Sequence, residues 1–209
     1  MLSMLDVELI SRGGPLMLVL LICSVLSLAM IVERLFALQH SRIFKMDLLQ
    51  EIEIAIKKRD IKMALEWSRQ DDSPMMKVVE VALINSDKPR DDLKVSIEEA
   101  GRLEVPRLEK FLTSIQTIAV IAPLLGLLGT VTGMIKVFET IVTQGTGNTA
   151  VLAGGISEAL ITTASGLSLA IPTLIFYNFL SKKVDLLLVE MERYSLIIFE
   201  LLTGDYSDF

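Results

Sequence analysis

Residues 140–181 read TIVTQGTGNTAVLAGGISEALITTASGLSLAIPTLIFYNFLS, and Glu158 is the only charged residue in that stretch. The run is long and apolar enough to cross a bilayer, whose hydrocarbon core of about 30 Å takes about 20 residues of helix. A carboxylate inside such a segment costs several kcal/mol unless it is paired, hydrated or protonated. Two readings follow: Glu158 belongs to an ion pathway, or it is a structural acid bonded to a neighbouring helix.

The rest of the chain supports a membrane protein. It has 209 residues, 52% of them hydrophobic, with 22% charged and a mean hydropathy of +0.56, so charge and apolar surface must be segregated. Apolar segments at Pro15–Val32 and Phe111–Ile135 join a third centred on Ala150–Leu180. The first lacks a basic leader and a small-residue cleavage site, and is expected to be retained as a transmembrane helix. The formal net charge of -6 and the absence of a concentrated basic face in the sequence argue against nucleic-acid binding, and nothing suggests a polybasic membrane-surface switch. Cys23 is the single cysteine, so no intrachain disulfide and no thiolate metal site can form; it reads as a small apolar filler. No cofactor is implied.

Basic residues set the expected orientation. Arg34, His40, Arg42 and Lys45 follow the first span, Arg107 and Lys110 precede the second, and Lys182 and Lys183 follow the third, whereas residues 144–149 carry no charge. The positive-inside rule then puts the amino terminus and that short loop outside, with the central region and carboxyl terminus in the cytoplasm. The expected layout is residues 1–14 outside, 15–33 the first span, 34–110 a cytoplasmic helical domain, 111–139 the second span, 140–149 an outside loop, 150–181 the third span and 182–209 a cytoplasmic helix and tail.

No useful strand alternation appears, so the fold class is all-α. Asp47 with Gln50 reads as the start of one cytoplasmic helix, Asp60 as the cap of a second, and Ser73 followed by Pro74 as the start of a third. Pro89 opens a longer helix expected to run straight into the membrane with a kink at Pro106. Trp67 is expected to anchor the core of this bundle. Beyond Lys183, Val184, Leu187, Leu188 and Met191 form an amphipathic face, with Glu190, Glu192 and Arg193 as its solvated side.

Within the second span Ala122, Gly126, Gly129 and Gly133 form one stripe of small residues, which lets another helix approach closely; Pro123 beside it loosens the local ladder. In the third, Glu158, Thr162 and Ser165 share one face, while Ala159, Thr163, Gly166 and Ala170 form a packing face rotated from it. Hydroxyls beside a carboxylate suit a hydrated proton or cation path. Taken singly, each hydroxyl is equally a means of joining helices.

APLLGLLGTVTGMIKVF (122–138) followed by GISEALITTASGLSLAIPTLIFYN (155–178) resembles the MotA/TolQ/ExbB proton channel family, most closely its ExbB and TolQ branch. The resemblance implies a bacterial inner-membrane homo-oligomer, a pentamer, around a dimer of single-span partners similar to ExbD or TolR. Proton flow there drives the partner, which passes the motion to a periplasmic transducer such as TonB or TolA. It also implies functional threonines at Thr130 and Thr163 and a glutamate at Glu158. Helical phase puts Thr162 under Glu158, so Thr162 and Ser165 stay as contributors. The acid that changes protonation is, by this resemblance, an aspartate of the partner. The amino-terminal segment is short for an ExbB-like chain, so an interaction carried by a longer extension is not expected. The rivals are a TolQ-like envelope-maintenance role, a MotA-type stator with four spans, a non-conducting scaffold, and an intramembrane hydrolase using Ser157 or Ser165. The last is disfavoured because His40, the one histidine, lies outside the spans.

Overall fold

The computed structural model describes residues 14–145 and 149–204, so the expectations for the outermost amino-terminal residues, the loop at 146–148 and the last five residues lie outside what is described. The described residues form eight helices and no strand: α1 (Gly14–Ala37), α2 (His40–Ile43), α3 (Met46–Lys57), α4 (Ile61–Ser68), α5 (Pro74–Ile84), α6 (Arg90–Leu108), α7 (Leu112–Gln144) and α8 (Thr149–Thr203). They divide into two compact units, residues 14–33 with 111–145 and 149–179, and residues 34–110 with 180–204.

The first unit holds the apolar parts of α1, α7 and α8, and among the described residues three helices are long and apolar enough to cross a membrane. Its outer surface is apolar: Leu18, Leu28, Leu124 and Ile171 are each more than half exposed. Such continuous apolar surface is unstable in water and requires lipid or other protein against it. Leu20 of α1, Ala122 of α7 and Ala170 of α8 meet in a small buried cluster, with Met17, Leu125 and Leu169 packed around it.

The second unit is a water-facing helical bundle in which α3 packs on α4, α4 on α5 and α5 on α6. Phe44, Leu49, Ile52, Met75 and Met76 are nearly or fully buried, each contributing about 1.5–3 kcal/mol of burial. Asp60 caps α4 as expected, accepting from the Met63 amide at 3.1 Å. Pro74 opens α5 at its first turn after Ser73, although the Ser73 side chain makes no cap bond. Asp47 falls inside the first turn of α3, which begins one residue earlier after Lys45 in the left-handed region. Trp67 is only partly buried, and the core position of its short helix goes to Ala64.

Two features differ from the expected run into the membrane. Pro106 is accommodated inside α6, which ends at Leu108; the interruption lies at residues 109–111, where Phe111 takes φ 65° before α7 begins. A left-handed residue stops a right-handed helix outright, whereas a proline near a helix end displaces only one hydrogen bond. The buried Arg34 guanidinium donates to the carbonyls of Arg107 and Leu108 at 3.2 and 3.4 Å, satisfying acceptors left open at the end of α6. The expected third span and the helix expected beyond Lys183 are one element, a continuous helix of 55 residues. Glu190 is not merely solvated, since it lies 2.8 Å from His40 Nε2. His40 in turn stacks on Phe44, which leans on Tyr194.

Candidate functional site

The hairpin of α7 and α8 gathers the motif residues, and its geometry follows from small side chains. A methyl added at Gly126 would stand 3.0 Å from Thr163 Cα, and one at Gly129 would be 2.5 Å from Thr162 Cγ2. At Gly133 it would be 2.7 Å from Ala159 Cβ, and at Gly166 2.5 Å from the Ala122 carbonyl oxygen. The stripe of α7 is thus filled by α8 of the same chain, backbone nearly on backbone. Dispersion and interhelical hydrogen bonds, rather than water release, hold such a contact in lipid.

The hydroxyls have separate assignments. Thr163 Oγ1 donates across the interface to the Gly126 carbonyl at 2.7 Å. Thr162 is buried under Gly129 and donates back to the Glu158 carbonyl at 2.9 Å. Thr130 donates to Leu127 of its own helix at 2.6 Å. Ser165 faces elsewhere, lining a groove of about 720 Å³ with Ser24 and Ser27 of α1 and Ser168 and Thr173 of α8. The hydroxyl face read from helical phase is therefore split, with Thr162 against α7 and Ser165 on the α1 side.

Glu158 is paired. Lys136 Nζ of α7 sits 2.8 Å from its Oε1, with the two side chains 54% and 27% exposed. The amino end of α1 closes on the same carboxylate, because the space a side chain would need at Gly14 (φ +66°) is taken by Glu158. Lys136 stands 24 residues beyond Leu112, and Glu158 21 residues before Phe179. At about 1.5 Å per residue these are about 36 and 32 Å. A hydrocarbon core of about 30 Å starting at either residue ends before the ion pair, which places the pair at the far edge of the span and not at its centre. A pair there keeps water within reach and avoids most of the cost of a charge at the midplane. Sequence reasoning missed Lys136 although the expected second span, 111–139, contains it: the lysine stands one residue past the apolar segment ending at Ile135 and drew no partner for Glu158. Among the described residues no cluster of three or more metal-ligating side chains exists.

A polytopic helical membrane protein with a close-packed glycine hairpin, a half-buried interhelical threonine bond and an ion pair at the hairpin's far end is thereby defined. The model of the MotA/TolQ/ExbB proton channel family matches residues 66–193, and the chain belongs to that family. A Synechocystis protein described as biopolymer transport protein ExbB-like 3 is 32% identical over 168 residues, covering 79% of this chain and 80% of its own length. The biopolymer transport protein ExbB of Aquifex aeolicus is 46% identical over 90 residues, 41% of this chain and 61% of that protein. ExbB of Neisseria gonorrhoeae is 34% identical over 100 residues, 48% and 46% respectively. These similarities support the ExbB branch. Proteins of this kind are membrane transport and channel components working in complexes, not enzymes.

Proposed function

We propose that this chain is the multi-span subunit of a proton-motive-force-driven motor in a bacterial inner membrane, conducting protons together with an ExbD/TolR-like single-span partner. A homopentamer encloses a dimer of that partner, the amino terminus faces the periplasm, and the motion serves a TonB/TolA-like transducer, as in TonB-dependent transport. The observation that carries the reading is the α7/α8 hairpin itself. Its glycine stripe is filled by its own α8, which leaves no room for water between these two helices within one chain. A proton path must then use the other faces, between copies or against a partner. Thr163 and Thr130 would hold the backbone that lines it, with Thr162 and Ser165 as further hydroxyls. Glu158, held by Lys136, shapes the mouth of the path and leaves proton carriage to an acid of the partner. Each proton crossing releases about 2.3 kcal/mol per 100 mV, enough in small numbers to step a packed helix pair.

Co-expression with single-span candidates encoded beside the chain, native mass spectrometry and proton flux into vesicles test this. A complex containing the partner, with flux lost in Thr163→Val while assembly persists, is expected. A chain that assembles alone, with flux indifferent to Thr163→Val and Glu158→Ala, refutes it in favour of a scaffold.

A further inference from the structure

In the second unit a cavity of about 540 Å³ opens beside the end of α1. Four cations line it, Arg34, Arg42 and Lys45 from one stretch of the chain and Arg107 from another, against two carboxylates, Asp71 and Asp72. In a chain with a formal net charge of -6, this local excess of positive charge is an exception. The internal anions are already engaged. Asp71 takes Lys45 at 3.3 Å and the Ser73 amide at 2.8 Å, and Asp72 takes Lys77 at 2.9 Å and Arg107 at 3.1 Å. Arg34 is buried against the end of α6. Arg42 is exposed, and its side chain makes no hydrogen bond or ion pair among the described residues. The remaining lining is Ala37, Leu38, Ile43, Pro74 and Leu108 together with the hydroxyl-bearing Ser73.

We propose that this cavity seats the phosphate of an anionic phospholipid headgroup, with Arg42 as its principal ligand and Arg34 supplying a second positive charge. A guanidinium fork matches a phosphate bidentately. Two features favour a lipid over a soluble phosphate: Arg34 is separated from the apolar run ending at Val32 by Glu33 alone, and Leu38, Ile43, Pro74 and Leu108 in the lining offer apolar surface to the glycerol and the first acyl carbons. Basic residues at a membrane surface attract anionic lipid in the same way.

The test uses the full chain in neutral detergent, titrated with phosphatidylglycerol, phosphatidylcholine or glycerol 3-phosphate and read by native mass spectrometry and thermal shift. Phosphatidylglycerol is expected to bind and stabilise, and phosphatidylcholine to do neither. Arg42→Gln should weaken phosphatidylglycerol about fivefold. Arg42→Lys should fall between, and Arg102→Gln, which removes an exposed arginine of α6 outside this cavity, should leave binding unchanged. Equal binding of the two lipids, or equal losses in Arg42→Gln and Arg102→Gln, overturns the site. Glycerol 3-phosphate binding as tightly as the lipid overturns its assignment to a membrane ligand.

Discussion

Replacing Gly166 with alanine tests whether the hairpin is held at backbone contact. The added methyl would sit 2.5 Å from the Ala122 carbonyl oxygen and 3.1 Å from Gly126 Cα, both backbone atoms that cannot rotate away. Relief to an ordinary separation moves α8 from α7 by roughly an ångström, and the neighbouring Thr163–Gly126 bond, 2.7 Å long, is then lost. Overpacking costs about 1–3 kcal/mol and an interhelical bond in lipid about 0.6 kcal/mol, while alanine in place of glycine regains up to about 1 kcal/mol of helix propensity. With the full propensity gain counted, the net expectation is a loss of about 0.6–2.6 kcal/mol. Equilibrium unfolding in mixed micelles with rising sodium dodecyl sulfate measures it. Gly154→Ala is the control, because nothing lies within 4 Å of a methyl there, and it should be neutral or stabilising. Equal stability of the two variants would refute the close-packed hairpin.

Other outcomes follow from the same coordinates. Thr163→Val should lose about 0.6 kcal/mol in that assay, whereas Thr130→Val, whose hydroxyl bonds only within its own helix, should change stability by a few tenths at most. Lys136→Ala and Glu158→Ala should each cost about 1 kcal/mol at these exposures. A double-mutant cycle should show coupling, and the charge swap Lys136→Glu with Glu158→Lys should recover most of it; strictly additive losses would mean the pair contributes nothing. Burial would raise the Asp71 carboxyl, but the hydroxyl and amide of Ser73 and the Lys45 ammonium outweigh it and hold it below the usual carboxylate range. A lowered folded-state value means stabilisation present above the ordinary carboxylate pKa and lost as pH falls through the folded one. Asp71→Asn should therefore flatten the acid limb of the pH–stability curve below about pH 4, and an unchanged limb would contradict the assignment.

How much was legible in the sequence depended on the range of the interaction. Hydropathy located the apolar segments because burial in lipid is a property of a whole segment. The Asp60 cap and the Pro74 helix start were readable because each acts within one turn. The glycine stripe of α7 announced a close helix contact, though not that α8 of the same chain supplies it. Helical phase, which grouped Thr162 with Ser165, did not register that Thr162 turns its methyl under Gly129. The break at Phe111 escaped notice because positive φ at a bulky residue has no compositional signature, and Pro106 drew the expectation three residues too early. Glu190 looked solvated because its partner, His40, lies 150 residues away in the chain. The basic cavity was legible only in part: Arg34, Arg42 and Lys45 stand together as the flank of the first span, but Arg107 and the two aspartates join them from further along the chain.

The 55 residues of α8 have a mechanical consequence. A helix with no break over that length, about 80 Å at the usual rise, behaves as a shaft: twist applied at one end arrives at the other with little lost along the way. Its single proline is Pro172, which leaves the Ser168 carbonyl without its usual donor. Torsional strain in the shaft should concentrate there, and Pro172→Ala would stiffen the whole element without altering a single contact in the hairpin's glycine stripe.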